Sequence, residues 1–197
     1  MRLILASASP RRADLLRAAG FAFETIVADV DERIRDGETP AIYVRRLAAE
    51  KSAAALAALA ALEASPGSPG IGDAVVLGAD TVVVADDGAT LGKPRDAADA
   101  AAMMRRLSGR WHQVMTGVSL RKGAYEVGRV ETTRVEFTTL TEADIAWYVA
   151  SGEGRDKAGA YAIQGLASRF IPRIDGSYAN VVGLPVAAVH ALLAQQV

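Results

Sequence analysis

The chain has 197 residues, 51% of them hydrophobic, which is enough to bury the core of one domain of ordinary size and excludes an intrinsically disordered chain. Twenty-two basic residues against 23 acidic ones leave a net charge of -1, so no global field draws the protein to nucleic acid or to an anionic membrane, and any phosphate ligand must be recognised locally. The absence of cysteine excludes disulfides, thiolate nucleophiles and Cys-based zinc sites, and two histidines, His112 and His190, argue against a His-rich metal site. No apolar run approaches the length of a membrane span, and the first residues lack the apolar stretch of a signal peptide. The expectation is a soluble protein of the cytoplasm.

The apolar run Leu3-Ile4-Leu5-Ala6 predicts a first strand, followed by Ser7-Ala8-Ser9-Pro10-Arg11-Arg12. Ser9 is suited to cap a helix, Pro10 to its first position, and Gly20 to its end, so a helix is predicted over residues 10 to 19. Arg11 and Arg12 fall in its first turn, where the helix dipole disfavours cations and favours phosphate. They read either as an anion site with Ser7 and Ser9 or as two solvated arginines on a capped helix.

Weak alternation from Phe21 to Val30 predicts a strand opening into the acidic loop around Asp31 and Glu32, and Thr39-Pro40 starts a long helix. Tyr43, Leu47, Ala54 and Ala58 mark its apolar stripe, with Lys51 on the same side. A lysine there either meets a partner or snorkels to the edge. Residues 65 to 72, Ser-Pro-Gly-Ser-Pro-Gly-Ile-Gly, predict a turn-rich surface connector. Val75-Val76-Leu77 and Val82-Val83-Val84 predict one buried strand running through Gly78-Ala79-Asp80-Thr81. Asp80 is anomalous there, because a carboxylate in a valine-rich strand must be paired, protonated or bound to metal. It reads as a catalytic group or as a structural aspartate closing a bulge.

Lys93-Pro94 precedes a helix capped by Asp96 and closed by Gly109. Residues 111 to 120 and 126 to 140 predict a long hairpin turning at Lys122-Gly123, and Thr141-Glu-Ala-Asp144 opens another helix ending near Gly152. In Asp156-Lys157-Ala158-Gly159-Ala160-Tyr161-Ala162-Ile163-Gln164-Gly165 the glycines permit close backbone approach and Gln164 offers an amide able to read a base edge; a tight turn packed by Tyr161 is the plain reading. A last helix follows Pro185. Arg11, Arg12, Lys51 and Lys93 are the candidate phosphate cations, Glu32 the second carboxylate for Mg2+ or Mn2+, and neither a Walker pattern nor a dinucleotide-binding glycine fingerprint is present.

Taken together these segments resemble the Maf family of nucleoside triphosphate pyrophosphatases over nearly the whole chain. The resemblance rests on Leu5-Ala6-Ser7-Ala8-Ser9-Pro10-Arg11-Arg12, Gly78-Ala79-Asp80-Thr81 and Gly92-Lys93-Pro94. It continues through Leu107-Ser108-Gly109 with His112-Gln113-Val114, Asp156 to Tyr161, and Val182-Gly183-Leu184-Pro185. It implies an α/β fold with a long twisted mixed sheet flanked by helices, two lobes around a central cleft as in inosine triphosphatase-like proteins, and a single domain over residues 1 to 197. The implied reaction is metal-dependent hydrolysis of a nucleoside triphosphate between its α and β phosphates. Asp80 would accept the proton of the attacking water and, with Glu32, face the metal. Ser7, Ser9, Arg11, Arg12, Lys51 and Lys93 would surround the phosphates. Arg12, Thr81 and Gln164 match positions that separate substrate classes, in the combination of the branch acting on dTTP and UTP. That branch is also open to modified pyrimidine nucleotides, while the sequence lacks the Trp, Gln and Glu pattern of the branch acting on 7-methyl-GTP. Family resemblance further implies a homodimer. The alternatives are a pyrophosphatase of the 7-methyl-GTP type and a nucleotide-responsive binding protein in cell division.

Overall fold

A computed structural model describes residues 1–64 and 72–195; of the connector expected over 65 to 72, all but Gly72 lies outside the described residues. The elements in chain order are β1 (Arg2–Ala6), α1 (Pro10–Ala18), β2 (Glu24–Thr25), α2 (Pro40–Leu62), β3 (Ala74–Val84), β4 (Thr90–Leu91), α3 (Ala97–Leu107), β5 (Trp111–Lys122), β6 (Tyr125–Glu136), α4 (Glu142–Ser151), β7 (Arg173–Asp175), α5 (Tyr178–Val182) and α6 (Val186–Ala194). Short 3-10 turns cover Ala158–Ala160 and Leu166–Phe170. The seven strands form one mixed sheet in the order β2-β1-β3-β5-β6-β7, with β4 antiparallel to β3. The architecture is α/β, as the sequence predicts.

The chain divides into two compact units. One comprises Met1–Asp80, Thr116–Glu131 and Gly183–Val197; the other comprises Thr81–Met115 and Thr132–Val182. In the first unit β1 pairs in parallel with both β2 and β3. Period-two alternation sorts the strand residues onto two faces. Leu3 and Leu5 of β1 pack with Val75, Leu77 and Ala79 of β3 against Leu16 of α1 and Val189 and Leu192 of α6. Ile4, Ala6, Ala74 and Val76 face the other way, against Ala55 and Leu59 of α2. Gly78 and Asp80 continue that second face.

Thr39 caps α2 through its hydroxyl, which accepts the Ile42 N–H at 3.3 Å, and Pro40 occupies the first turn. The buried stripe of α2 is Val44, Leu47, Ala48, Ser52, Ala55 and Leu59. It is therefore rotated from the predicted one: Leu47 is shared, while Tyr43, Ala54 and Ala58 lie half-buried along its flank. The rotation follows from the strands beneath, which offer bare glycine backbone. A Cβ on Gly78 would stand 2.1 Å from the Ala48 carbonyl oxygen, and one on Gly117 of β5 would stand 2.3 Å from the Val44 carbonyl oxygen. Small residues of the helix thus lie directly on the sheet. A polar seam closes the same contact: Ser52 and Ser119 hydroxyls are 2.8 Å apart, Ser119 donates to Glu126 at 2.6 Å, and Arg45 donates to both Glu126 oxygens at 2.7 and 2.8 Å. Against the burial that raises it, the hydrogen bonds of Arg45 and Ser119 hold the Glu126 carboxyl below the usual range.

In the second unit α3 and α4 carry their predicted caps: Asp96 accepts the Asp99 N–H, and Thr141 forms a reciprocal capping box with Asp144. Its core gathers Leu91, Met104, Leu107, Val114, Val135, Phe137, Ile145, Tyr148, Tyr161, Ile163 and Phe170. Two expectations are corrected. The strand expected over residues 21 to 30 is only Glu24–Thr25, because the residues after Val27 enter a charged loop held by side chains of α2. β6 ends at Glu136, short of Leu140, because the Phe137 N–H turns to the Arg110 carbonyl and the Thr138 N–H to the Phe170 carbonyl.

Candidate active site

The first unit brings together Ser7, Ser9, Arg11, Arg12, Glu32, Lys51 and Asp80. β1 delivers the buried Ser7 hydroxyl, which accepts the Ser9 N–H at 3.2 Å and an Arg12 N–H at 3.1 Å. Ser9 is the N-cap of α1 by position, yet its side chain makes no cap hydrogen bond, so the residue type is as predicted and the use of its hydroxyl is not. Arg11 lies half-buried in the first turn. Arg12 folds inward instead of standing in solvent. Its Nε donates to the Gly183 carbonyl at 2.8 Å and its Nη1 to the Ala79 carbonyl at 2.9 Å, so one guanidinium ties together the loop after β1, the residue before Asp80, and Gly183 ahead of α6. Burial draws the Arg12 guanidinium below its usual pKa, with Arg11 in the same direction, while the charges of Asp80 and Glu32 oppose the shift.

Asp80 points from β3 towards α2, as the alternation requires, and Lys51 meets it. The Lys51 ammonium lies 2.7 Å from Asp80 Oδ1 and 2.7 Å from Glu32 Oε1, with the lysine side chain only 12% exposed. Two carboxylates therefore converge on one positive charge. The close seat of α2 on Gly78 makes this reach possible, since Ser52, whose N–H would stand 2.8 Å from a Cβ on Gly78, is the neighbour of Lys51.

Glu32 sits on a loop that α2 holds from beneath. Tyr43 donates to the Glu32 carbonyl at 2.9 Å, and Arg46 donates to Glu38 Oε2 at 2.8 Å and to the Arg33 carbonyl at 3.0 Å. Burial first, then the charges of Asp80 and Glu32, push the Tyr43 phenol up to about 12. Tyr43 and Arg46 are the site residues that sequence reasoning missed. The signal for Tyr43 was present, because it stands two turns before Lys51 on the same side of α2.

Among the described residues no group of three or more His, Asp or Glu side chains is placed to hold a metal ion. Glu32 and Asp80 nevertheless fit a hard divalent cation, because both direct an oxygen at the point where Lys51 places its charge. Mg2+ is commonly held by one or two carboxylates with substrate phosphates completing the shell.

The second unit carries Thr81, Lys93 and Gln164. Thr81 is half-buried in β3, directly after Asp80; Lys93 is exposed after β4; Gln164 is exposed in a turn. The Gly159 N–H donates to the Gly92 carbonyl at 3.0 Å, which joins the segment leading to Gln164 to the residue before Lys93. Gly159 takes φ +69°, with the Val83 side chain where its Cβ would stand, so both the backbone and the space require glycine.

A family model described as Maf-like protein matches residues 2–196. Similar curated relatives include the dTTP/UTP pyrophosphatase of Hahella chejuensis (strain KCTC 2396), 49% identical over 194 residues that cover 98% of this chain and 90% of that protein. That of Anaeromyxobacter dehalogenans (strain 2CP-C) is 49% identical over 196 residues, covering 98% and 92%. That of Vibrio cholerae serotype O1 (strain ATCC 39315 / El Tor Inaba N16961) is 48% identical over 192 residues, covering 98% and 96%. Among solved structures the Ham1 protein of Staphylococcus aureus superposes with a TM-score of 0.52 at 15% identity over 100% of both chains, a likeness of fold alone.

Proposed function

The chain belongs to the Maf family, and from that premise we propose that it is a nucleoside triphosphate pyrophosphatase hydrolysing dTTP and UTP to the monophosphate and pyrophosphate. The observation that carries the reading is Lys51 held between Asp80 and Glu32. Water attacks the α phosphorus, Asp80 accepts its proton, and the bridging oxygen to the β phosphate leaves with pyrophosphate. The transition state spreads negative charge over the phosphate oxygens, so cations fixed in advance lower the barrier. Lys51, Arg11 and Lys93 serve as those cations, and the first N–H groups of α1 add to them with Ser7 and Ser9. Glu32 and Asp80 hold the divalent cation, Mg2+ or Mn2+, which supplies charge neutralisation at the phosphates. Arg12, Thr81 and Gln164 select the pyrimidine base, Gln164 through its amide. The proposal includes a homodimer acting in the cytoplasm, the oligomeric part of which light scattering decides.

Pyrophosphate release from dTTP, UTP, CTP, GTP and 7-methyl-GTP with Mg2+ or Mn2+ tests the reading. We expect dTTP and UTP to be preferred, and Asp80→Asn to lose about 100-fold or more in kcat, the usual effect of removing a general base, while still binding nucleotide. Undiminished turnover by Asp80→Asn overturns the mechanism. A preference for 7-methyl-GTP keeps the mechanism and overturns the specificity.

A further inference from the structure

We infer that Glu153 and Tyr148 are specificity-positioning residues, a two-residue clamp that fixes the turn carrying Gln164 and so sets how sharply the enzyme discriminates among bases. The inference rests on the proposed role of Gln164 in reading the base.

Gln164 occupies the third position of a turn closed by the Gly165 N–H donating to the Ala162 carbonyl at 3.1 Å. Tyr161, Ala162 and Ile163 are buried and Gln164 is exposed, so the turn is anchored on its N-terminal side and presents one side chain outward. Backbone N–H groups on both flanks of Gln164 are then held by the same pair of side chains. Before it, the Ala162 N–H donates to the Tyr148 hydroxyl at 3.2 Å. After it, the Leu166 N–H donates to Glu153 Oε1 at 2.8 Å and the Ala167 N–H to Glu153 Oε2 at 3.4 Å. The two holders are themselves joined, Tyr148 donating its hydroxyl proton to Glu153 Oε2 at 2.8 Å.

Each part of this arrangement has a physical reason. Tyr148 is 1% exposed on α4, so its ring is fixed by the core and its hydroxyl is a stationary point. Glu153 follows Gly152, which ends α4 in the left-handed region at φ +72° and turns the chain back towards residues 165 to 167. Gly165 makes room for the carboxylate: a Cβ there would stand 1.9 Å from Glu153 Oε1. A carboxylate accepting several donors gives charge-assisted bonds, and the chain from the Ala162 N–H through the Tyr148 hydroxyl to Glu153 polarises in one direction. Burial and then the hydrogen bond to Glu153 raise the Tyr148 phenol above its ordinary pKa, so it remains a hydroxyl that can donate and accept together. A side chain that reads a base by hydrogen bonding discriminates only as well as its backbone is held.

The test measures kcat/KM for UTP and for CTP with wild type, Tyr148→Phe, Glu153→Gln, Glu153→Ala and Gln164→Ala, and with the Tyr148→Phe, Gln164→Ala double variant. Circular dichroism melting establishes that each is folded. Tyr148→Phe keeps the ring in the core and Glu153→Gln keeps one carbonyl acceptor, so these two carry the test if Glu153→Ala does not fold. We expect Tyr148→Phe and Glu153→Gln each to lower the UTP/CTP ratio by about tenfold, the equivalent of one or two positioned hydrogen bonds. We also expect the double variant to lose no more of the ratio than Gln164→Ala alone, the mark of residues acting as one unit. A ratio that falls in Gln164→Ala but is unchanged in folded Tyr148→Phe and Glu153→Gln overturns the clamp. A ratio unchanged in Gln164→Ala itself overturns the base-reading role, and the clamp with it. A merely structural role predicts lower melting temperatures at a constant ratio.

Discussion

His112 shows how one buried side chain makes stability depend on pH. Its Nε2 lies 2.8 Å from the Tyr161 hydroxyl, its ring meets Phe137 and Tyr161 edge-on, and among the described residues its Nδ1 has no hydrogen-bond partner. Burial lowers its pKa from 6.5 to about 4. The unfolded chain therefore binds a proton that the folded one refuses between those values, and stability present above pH 6.5 is lost as pH falls towards 4. In that window the slope is about 1.4 kcal/mol per pH unit. Urea midpoints taken at pH 7 and pH 5 are expected to fall with the wild type and to converge in His112→Gln. At this scale the sequence was informative where a residue violated a rule. Lys51 on a buried stripe and Asp80 in a valine strand each demanded a partner, and they are partners of one another. Ser9 obeyed a rule, yet its hydroxyl makes no cap bond, and its backbone N–H donates to the Ser7 hydroxyl. Glu153 violated nothing in the sequence, which is why its place beside Gly165 could not be read from it.

Helix α2 and the strands beneath it explain what was legible among the elements. Caps and punctuation located α2, α3 and α4, since those signals are local. The rotation of α2 was not legible, because alanines on several sides leave the periodicity weak and the decision falls to Gly78 and Gly117, which are distant in sequence. The sequence places Gly78 inside the buried strand that leads to Asp80 and says nothing of what lies over it, yet Gly78 acts as a floor for the helix. Gly78→Ala is expected to destabilise the protein by about 1–3 kcal/mol or more, the range for overpacking. The same change lifts Lys51 from Asp80 and lowers kcat. Urea unfolding with parallel rate measurements checks both, and an alanine variant of wild-type stability and rate shows that the close seat of α2 on Gly78 is not needed. Gly88→Ala serves as a comparison, since that glycine has open space around it although its φ of +83° carries its own strain.

At the scale of the molecule, β3, β5 and β6 each contribute residues to both compact units. Backbone continuity along three strands ties the folding of one unit to that of the other. Trp111 and Trp147, the two tryptophans of the chain, both lie in the second unit, so fluorescence follows that unit while far-UV circular dichroism follows the whole chain. The two probes are expected to give coincident urea transitions; separated midpoints show that the units unfold independently. The lysine held by two acids bears on how the protein is stored as well as on how it works. An unliganded pocket of bare carboxylates would repel itself and depend on added cation to stay closed, whereas this chain carries its own counter-ion in Lys51. Dialysis against a chelator is therefore expected to switch off hydrolysis and leave the melting temperature in place, with full activity restored on adding Mg2+ or Mn2+.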